Sequence, residues 1–456
     1  MTKDSESKVK SADVLIKNGA VITMRGSGEG KKGGEIIERG AVTITGDSIS
    51  FVGGGDDAKS VEAKTVIDAS GCVVMPGLIN GHTHAAMSLF RGIADDLPLE
   101  TWLNDFIFPA ESQNLDAEFV YWGTKLAIAE MLLSGTTTFC DMYLFEDSVA
   151  RATKEMKMRG VLGEVLYDFP SPNYGELSQG YEYTENFIKK WKDDPLITPT
   201  VQPHALDTCA PELLVRAGEI SKKHDVLCII HVAESQANVA HVRQKYNKTS
   251  FKHLDDLGVL SERFVADHAV WVTDEEMDIM AEKGVKVITN PESNMKLASG
   301  WAPVHKYLKR GIVVGLGTDG CASNNDLDLF GEMDTLAKLH KIYDADPTHM
   351  DAHTAVRLAT VGSAKALGLS GTVGTLEKGK RADIIVVDFN RPHLTPVYDP
   401  FSHLVYAAMA SDVRDVLVNG EILVKDGSLT QADTGEIIAK ARELSERVKK
   451  SIKGAG

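Results

Sequence analysis

The sequence predicts an α/β protein: a (β/α)8 TIM-type barrel with a small β-sandwich domain built from the N- and C-terminal segments. Three observations carry this. Between residues 74 and 371, continuously apolar runs alternate with amphipathic helical stretches, the pattern of a parallel sheet buried on both faces. Eight such runs can be counted, the number that closes a barrel. The flanks, 1–73 and 372–456, read instead as short strands between Gly and Asp turns, each flank too short for a comfortable sandwich of its own. At 456 residues the chain also exceeds one ordinary core.

In order, Val14–Ile16, Ala41–Ile44, Ile49–Val52 and Thr65–Ile67 are expected strands of the small domain, with Ser27–Gly34 a polar, Gly-rich, mobile hairpin tip. The eight barrel strands are expected at Val73–Ile79, Thr136–Cys140, Val161–Tyr167, Ile197–Gln202, Val226–His231, Phe264–His268, Val285–Thr289 and Ile312–Gly317. Helices are expected at Leu115–Leu133, Pro211–Lys223, Thr273–Lys283 and Met350–Leu367. Strand character returns at Gly379–Asp388 and Val413–Glu421, and Thr434–Lys453 reads as an amphipathic, charged terminal helix. An open doubly wound sheet fits less well, because no Gly-rich phosphate loop follows any strand.

Composition narrows the class. Hydrophobic residues at 43% and charged residues at 25% are ordinary globular values. A net charge of −16 disfavours nucleic acid or an anionic membrane as partner. No apolar run is long enough to span a bilayer, and the N-terminus lacks the apolar core of a signal peptide. The five cysteines are scattered, odd in number and without a C-x-x-C pair, so a reducing cytoplasm is the expected location.

Function is expected at the carboxyl ends of the barrel strands. The first strand ends in His82-Thr83-His84, and residues two apart on a strand share a face, so both imidazoles can reach one point. The fourth ends at His204, the fifth at His231 with Glu234 three residues on, the sixth at Asp267-His268 and the eighth at Thr318-Asp319-Gly320. Any one of these alone reads as readily as a satisfied core histidine or a turn aspartate; together on one rim they point to a metal site. His82, His84, His231 and Asp319 would make a mononuclear centre of three imidazoles and one carboxylate, resembling catalytic zinc with a position left for water. Glu234 is the candidate proton shuttle, its bland reading being a partner that holds a ligand in place. His268 could orient the attacking oxygen or stabilise charge on the substrate.

The motifs Pro76-Gly77-Leu78-Ile79-Asn80-Gly81-His82-Thr83-His84, Leu89-Phe90-Arg91-Gly92, Gly135-Thr136-Thr137-Thr138, His231-Val232-Ala233-Glu234-Ser235, Asp267-His268-Ala269-Val270-Trp271, Asn290–Leu297 and Gly317-Thr318-Asp319-Gly320 resemble the amidohydrolase superfamily over nearly the whole chain. The subgroup they resemble deaminates S-adenosylhomocysteine, 5′-methylthioadenosine and 5′-deoxyadenosine. The resemblance implies metal ligands at His82, His84, His231 and Asp319, with one zinc per subunit (Fe2+ also accepting that set). It implies an acid/base glutamate at Glu234, a catalytic histidine at His268, a role for Asp319 beside the metal-bound hydroxide, and a ribose-binding carboxylate at Glu111. His204 stands where binuclear relatives carry a carboxylated lysine, which argues for one metal. Glu164 falls where relatives that grip an amino-acid tail carry arginine, and a carboxylate facing a carboxylate would weaken the case for S-adenosylhomocysteine. The family further implies a homo-oligomer, a tetramer in particular. Three alternatives stay open on sequence alone: a guanine, cytosine or chlorotriazine hydrolase on the same scaffold, a ring-opening amidase, and a non-catalytic scaffold protein.

Overall fold

The computed structural model describes residues 11–26 and 35–453, so the Gly-rich tip expected at Ser27–Gly34 lies outside the described residues. Eight parallel strand positions follow one another in chain order. Leu78–Thr83, Thr136–Tyr143, Arg159–Leu166 and the interrupted fourth strand, Ile197–Pro199 with Gln202–Pro203, form one parallel sheet. Cys228–Val232, Phe264–His268, Lys286–Thr289 and Val313–Leu316 form a second. Single bridges at Val201–Cys228 and Ala205–His231 join the fourth strand to the fifth. The eighth returns to the first through the Asp319 N–H, which donates to the His82 carbonyl at 2.9 Å. The Asn80 and Thr318 side chains lock that seam at 2.8 Å. The fourth strand is broken because Pro199 and Pro203 have no N–H to give a ladder.

The helices start where caps allow. Asp116 accepts from the N–H groups of Glu118 and Phe119 and opens Ala117–Leu133. Thr273 and Glu276 form a capping box at Asp274–Lys283, and Ser235 with Asn238 does the same at Gln236–Tyr246, which fixes the chain just past Glu234. The expected helix at Met350–Leu367 spans Ala352–Ala366 and carries a π-helical turn at Leu358–Gly362. The turn sits where the chain presses on the eighth strand: a Cβ on Gly362 would lie 2.3 Å from the Val314 carbonyl.

Both termini share one nine-stranded sheet. Ile384–Asp388 runs antiparallel to Cys72–Pro76, with Ile384 opposite Pro76, and Val413–Val418 adds beyond it. The strand expected at Val73–Ile79 is therefore two. Cys72–Pro76 belongs to this sheet, and Leu78–Thr83 starts the parallel ring. Gly77 makes the crossing: its N–H donates to the Asp383 carbonyl at 3.0 Å, and a Cβ there would meet the Thr137 side chain at 2.2 Å. Asp383 also takes a buried bidentate pair from Arg159 on the third strand, at 2.9 and 3.1 Å. The terminal helix Thr434–Lys453 buries Ile437, Ala441, Leu444 and Val448, a stripe at helical spacing, and packs on Ala117–Leu133. No helix among the described residues is long and apolar enough to cross a membrane.

Candidate active site

The predicted strand-end groups meet in one cavity at the carboxyl end of the parallel ring. His84, His204, His231, Glu234, His268, Asp319 and Glu111 all line it. His82 lies beneath them, fully buried, its ring edge-on to His84 and to His231 with centroids 4.9 Å away in both cases.

Each histidine is aimed from behind. His84 Nδ1 meets the Met142 carbonyl, and His231 Nδ1 meets the His204 carbonyl at 2.8 Å. A carbonyl only accepts, so both Nδ1 atoms carry a proton, which leaves the Nε2 atoms as the ones that can serve as ligands at the centre. His82 Nδ1 lies 3.0 Å from an Asp267 carboxylate oxygen, an ion-pair contact off the line of a hydrogen bond. On the inner side, His82 Nε2 is 3.2 Å from His231 Nε2 and 3.4 Å from Asp319 Oδ1, and His84 Nε2 is 3.1 Å from that same oxygen. Three ring nitrogens and a carboxylate oxygen facing one point suit a divalent cation. Metal–nitrogen bonds of about 2.0–2.1 Å in a tetrahedron give donor–donor edges of roughly 3.3 Å. The second Asp319 oxygen is held by the Ser293 and Ser323 hydroxyls at 2.7 and 2.9 Å, leaving the first to face the centre.

His268 Nδ1 meets Asn294 Oδ1 at 2.9 Å, and its Nε2 faces Glu234 at 4.0 Å. Its backbone is left-handed, φ 67, as is that of Ala233, φ 53, and Asp319, φ 66. Non-glycine residues in that region cost on the order of 1–3 kcal/mol and cluster at functional sites. Here the turns re-aim the ends of the fifth, sixth and eighth strands into the cavity.

Electrostatics separates the groups. Burial opposes charge on His82, but the Asp267 and Asp319 carboxylates prevail and push it up to about 10 in the absence of a cation. Burial would raise Asp319, yet its contacts to His82 and His84 hold it well below the usual carboxylate range. Burial and the neighbouring imidazoles drive His231 far down, and burial brings His204 to about 4, so both are neutral imidazoles near pH 7. Burial raises Glu234 against the pull of His268, and raises Glu111 to about 7 against a 2.6 Å hydrogen bond from the Tyr143 hydroxyl.

Glu164 does not face the cavity. Its buried carboxylate accepts from the Phe145 and Glu146 N–H groups at 3.2 and 2.9 Å and from Asn173 at 2.8 Å. It holds the turn after the second strand, while its neighbours Val165 and Tyr167 line the cavity. The expected repulsion of an acidic substrate tail by Glu164 therefore does not arise.

Several site residues carry no expectation from sequence. Tyr143, at the carboxyl end of the second strand, could have been found by the same strand-end rule. Asn294 and Ser293 lie in the Asn290–Leu297 motif, but their partners are visible only in three dimensions. Trp102, Leu103 and Phe108 form a wall from the segment before Glu111, and Tyr167 stacks on Phe169 at 3.9 Å opposite no regular sequence pattern.

A ring of parallel strands with imidazoles and carboxylates converging at its carboxyl end is the arrangement of a metal-dependent enzyme. More specifically, the family model described as the amidohydrolase family matches residues 73–423, and the chain belongs to that family. It is 52% identical over 439 residues, 96% of this chain and 99% of the relative, to a protein of Syntrophobacter fumaroxidans named 5-methylthioadenosine/S-adenosylhomocysteine deaminase. It is 45% identical over 443 residues, 96% and 98% of the two chains, to one of Methanosarcina mazei named 5′-deoxyadenosine deaminase. Among solved structures, an adenosine deaminase from Xanthomonas campestris with bound zinc matches with a TM-score of 0.94 at 36% identity, covering 97% of this chain and all of that one, 100%.

Proposed function

We propose that this chain hydrolytically deaminates adenosine-type nucleosides (5′-deoxyadenosine, 5′-methylthioadenosine, S-adenosylhomocysteine or adenosine) to the inosine analogues and ammonia. The observation that carries this is one cavity holding both the cluster of ring nitrogens around Asp319 and, apart from it, the buried carboxylate Glu111 presented by Tyr143. Names of the close relatives point the same way.

His82, His84, His231 and Asp319 would hold one divalent ion, zinc in the first place, with Fe2+ accepting the same donors. When bound, that ion supplies Lewis acidity that lowers the pKa of water to about 7. The remaining work belongs to the chain. Glu234, its carboxyl raised by burial, takes the proton of the attacking water and delivers it to N1 of the adenine ring. Asn294 holds the His268 ring through Nδ1, which aims Nε2 into the cavity beside Glu234 to position the attacking oxygen at C6. Asp319 accepts the second proton of that water and passes it to the C6 amino group, which leaves as ammonia. Glu111 accepts from the ribose hydroxyls, Trp102, Phe108 and Leu297 flank the base, and His204 borders the substrate.

We also read the parallel ring as a (β/α)8 barrel over 74–371, with the described residues of 1–73 and 372–456 forming a small β-sandwich domain plus the terminal helix. In support, Ile44 and Ile49 share one buried cluster with Ile384, Val386 and Leu417, from strands far apart in the sheet order, and Ala382 N–H donates to the Asp47 carbonyl at 2.9 Å. The five cysteines are unbonded, in keeping with the cytoplasm. Homo-oligomerisation rests on the family resemblance. The test is a panel of the four nucleosides with the zinc-loaded enzyme, followed by loss of adenine absorbance and by ammonia release. Turnover of none of them would overturn the reading.

A further inference from the structure

Away from the cavity, a second group of metal-ligating side chains lies together on the outer helical layer. His305 is on the helix Val304–Lys309, Asp344 ends the helix Leu329–Tyr343, and His349 stands in the connection to Ala352–Arg357. One oxygen of Asp344, Oδ2, lies 3.1 Å from His305 Nδ1 and 2.9 Å from His349 Nδ1. The two imidazoles are nearly parallel, with centroids 5.1 Å apart and planes 18° apart. His349 Nδ1 is in line for a hydrogen bond to that oxygen. His305 Nδ1 is buried and has no aligned partner. None of the three lines the active-site cavity.

Two explanations compete. In one, the carboxylate takes a single proton from His349 and the neighbouring ring is idle. That leaves a buried ring nitrogen unsatisfied at contact distance from an anion, which is costly. In the other, all three atoms face a cation. With metal–ligand bonds of about 2.0–2.1 Å, donor–donor edges fall between roughly 2.9 Å in an octahedron and 3.3 Å in a tetrahedron. The two observed nitrogen–oxygen edges sit in that window. The outer nitrogen of His349 lies 3.5 Å from Asp346, the carboxylate–histidine relay that commonly orients a metal ligand. Thr348 in turn pins Asp346 through its N–H and hydroxyl at 2.8 and 2.6 Å. The side chains are partly exposed, His349 most at 28%, so water can complete the coordination.

We propose that His305, Asp344 and His349 form a second cation site, for a borderline divalent ion such as zinc, nickel or copper, clipping the helix Val304–Lys309 to the turn after Tyr343. Two imidazoles and one carboxylate suit such ions and not magnesium or calcium, which take all-oxygen sites. The site also has a built-in reporter. The Trp301 indole lies parallel to His305, 7° between planes and 6.4 Å between centroids, so a paramagnetic ion there quenches its fluorescence.

The test uses the zinc-loaded enzyme, desalted and titrated with Ni2+ by calorimetry and tryptophan fluorescence, with zinc content measured before and after. The expected result is one further equivalent of Ni2+ at unchanged zinc content, with quenching that is absent in Trp301→Phe. His349→Ala and Asp344→Asn should weaken that binding by at least the ten- to hundredfold typical of lost outer partners, roughly. His349→Gln, which keeps the bulk of the side chain, should do the same while circular dichroism and turnover stay those of the parent. No additional Ni2+ uptake by the parent enzyme, or equal uptake and quenching in His349→Gln, would overturn the proposal. Neither result bears on the deaminase reading, which does not use these residues.

Discussion

Replacing Glu111 by Ala should separate nucleosides from bases. Glu111 is buried in the cavity wall, and one of its oxygens already accepts from Tyr143 at 2.6 Å, which leaves the other for the sugar. A hydrogen bond to a charged group is worth on the order of 1.5–3 kcal/mol, so kcat/KM for 5′-deoxyadenosine should fall by about one to two powers of ten. Free adenine, lacking the hydroxyls, should be poor in the parent and unchanged in the variant, and the 2′-deoxy analogue should lie between. A pH dependence follows with a definite sign. Burial raises the Glu111 carboxyl to about 7, and only its ionised form accepts from both hydroxyls. In the parent, nucleoside kcat/KM should therefore decline as pH drops through about 7, and Glu111→Ala should lose that limb of the profile. Steady-state kinetics by adenine absorbance between pH 5.5 and pH 8.5, a window chosen about that value, reads both effects. If the variant turned over the nucleoside as well as the parent at every pH, Glu111 would not be the sugar acceptor.

Glu234→Gln keeps the shape of the side chain but not its proton; bound zinc should stay stoichiometric while turnover drops about 10²–10⁴-fold, and parent-like turnover would make Glu234 structural. Asp267→Asn removes the anion beside His82 Nδ1, and the affinity for zinc in a competition with a chelator should weaken about 10–100-fold; an unchanged affinity would mean that His82 needs no such partner. Arg159→Leu leaves the Asp383 carboxylate buried without its guanidinium, so denaturant unfolding should show a loss of about 3–5 kcal/mol, and a loss below 1 kcal/mol, roughly, would show that solvent reaches the pair.

The reach of the sequence is clearest at single residues. His82, His84, His204, His231 and Asp319 were legible because strand ends on a parallel ring all open to one side, whatever their spacing in the chain. Glu164 departs from its expected place facing the substrate, and the strand pattern carries the reason. Val165 and Tyr167 line the cavity, and by the alternation of a strand their neighbour Glu164 points the other way, toward the helices. His268 is the converse: alternation with Asp267 would turn it outward, and only a left-handed backbone, φ 67, returns it to the cavity. The division of Val73–Ile79 hinges on Pro76-Gly77, whose role as a crossing is set by the distant Asp383 and Thr137 and not by local propensity. The cluster at His305, Asp344 and His349 has no motif; it comes from helix packing across some forty residues, roughly the span of one βαβ unit.

The measurement that bears most directly on the proposed chemistry is product analysis with 5′-deoxyadenosine as substrate, run on zinc-loaded enzyme and on the same protein after chelation and zinc readdition. One ammonia and one 5′-deoxyinosine should form per nucleoside consumed, activity should vanish with the metal, and readdition should restore it in proportion to zinc bound up to one per chain. Cleavage to free adenine, or full activity in the chelated protein, would contradict deamination at the cluster of His82, His84, His231 and Asp319.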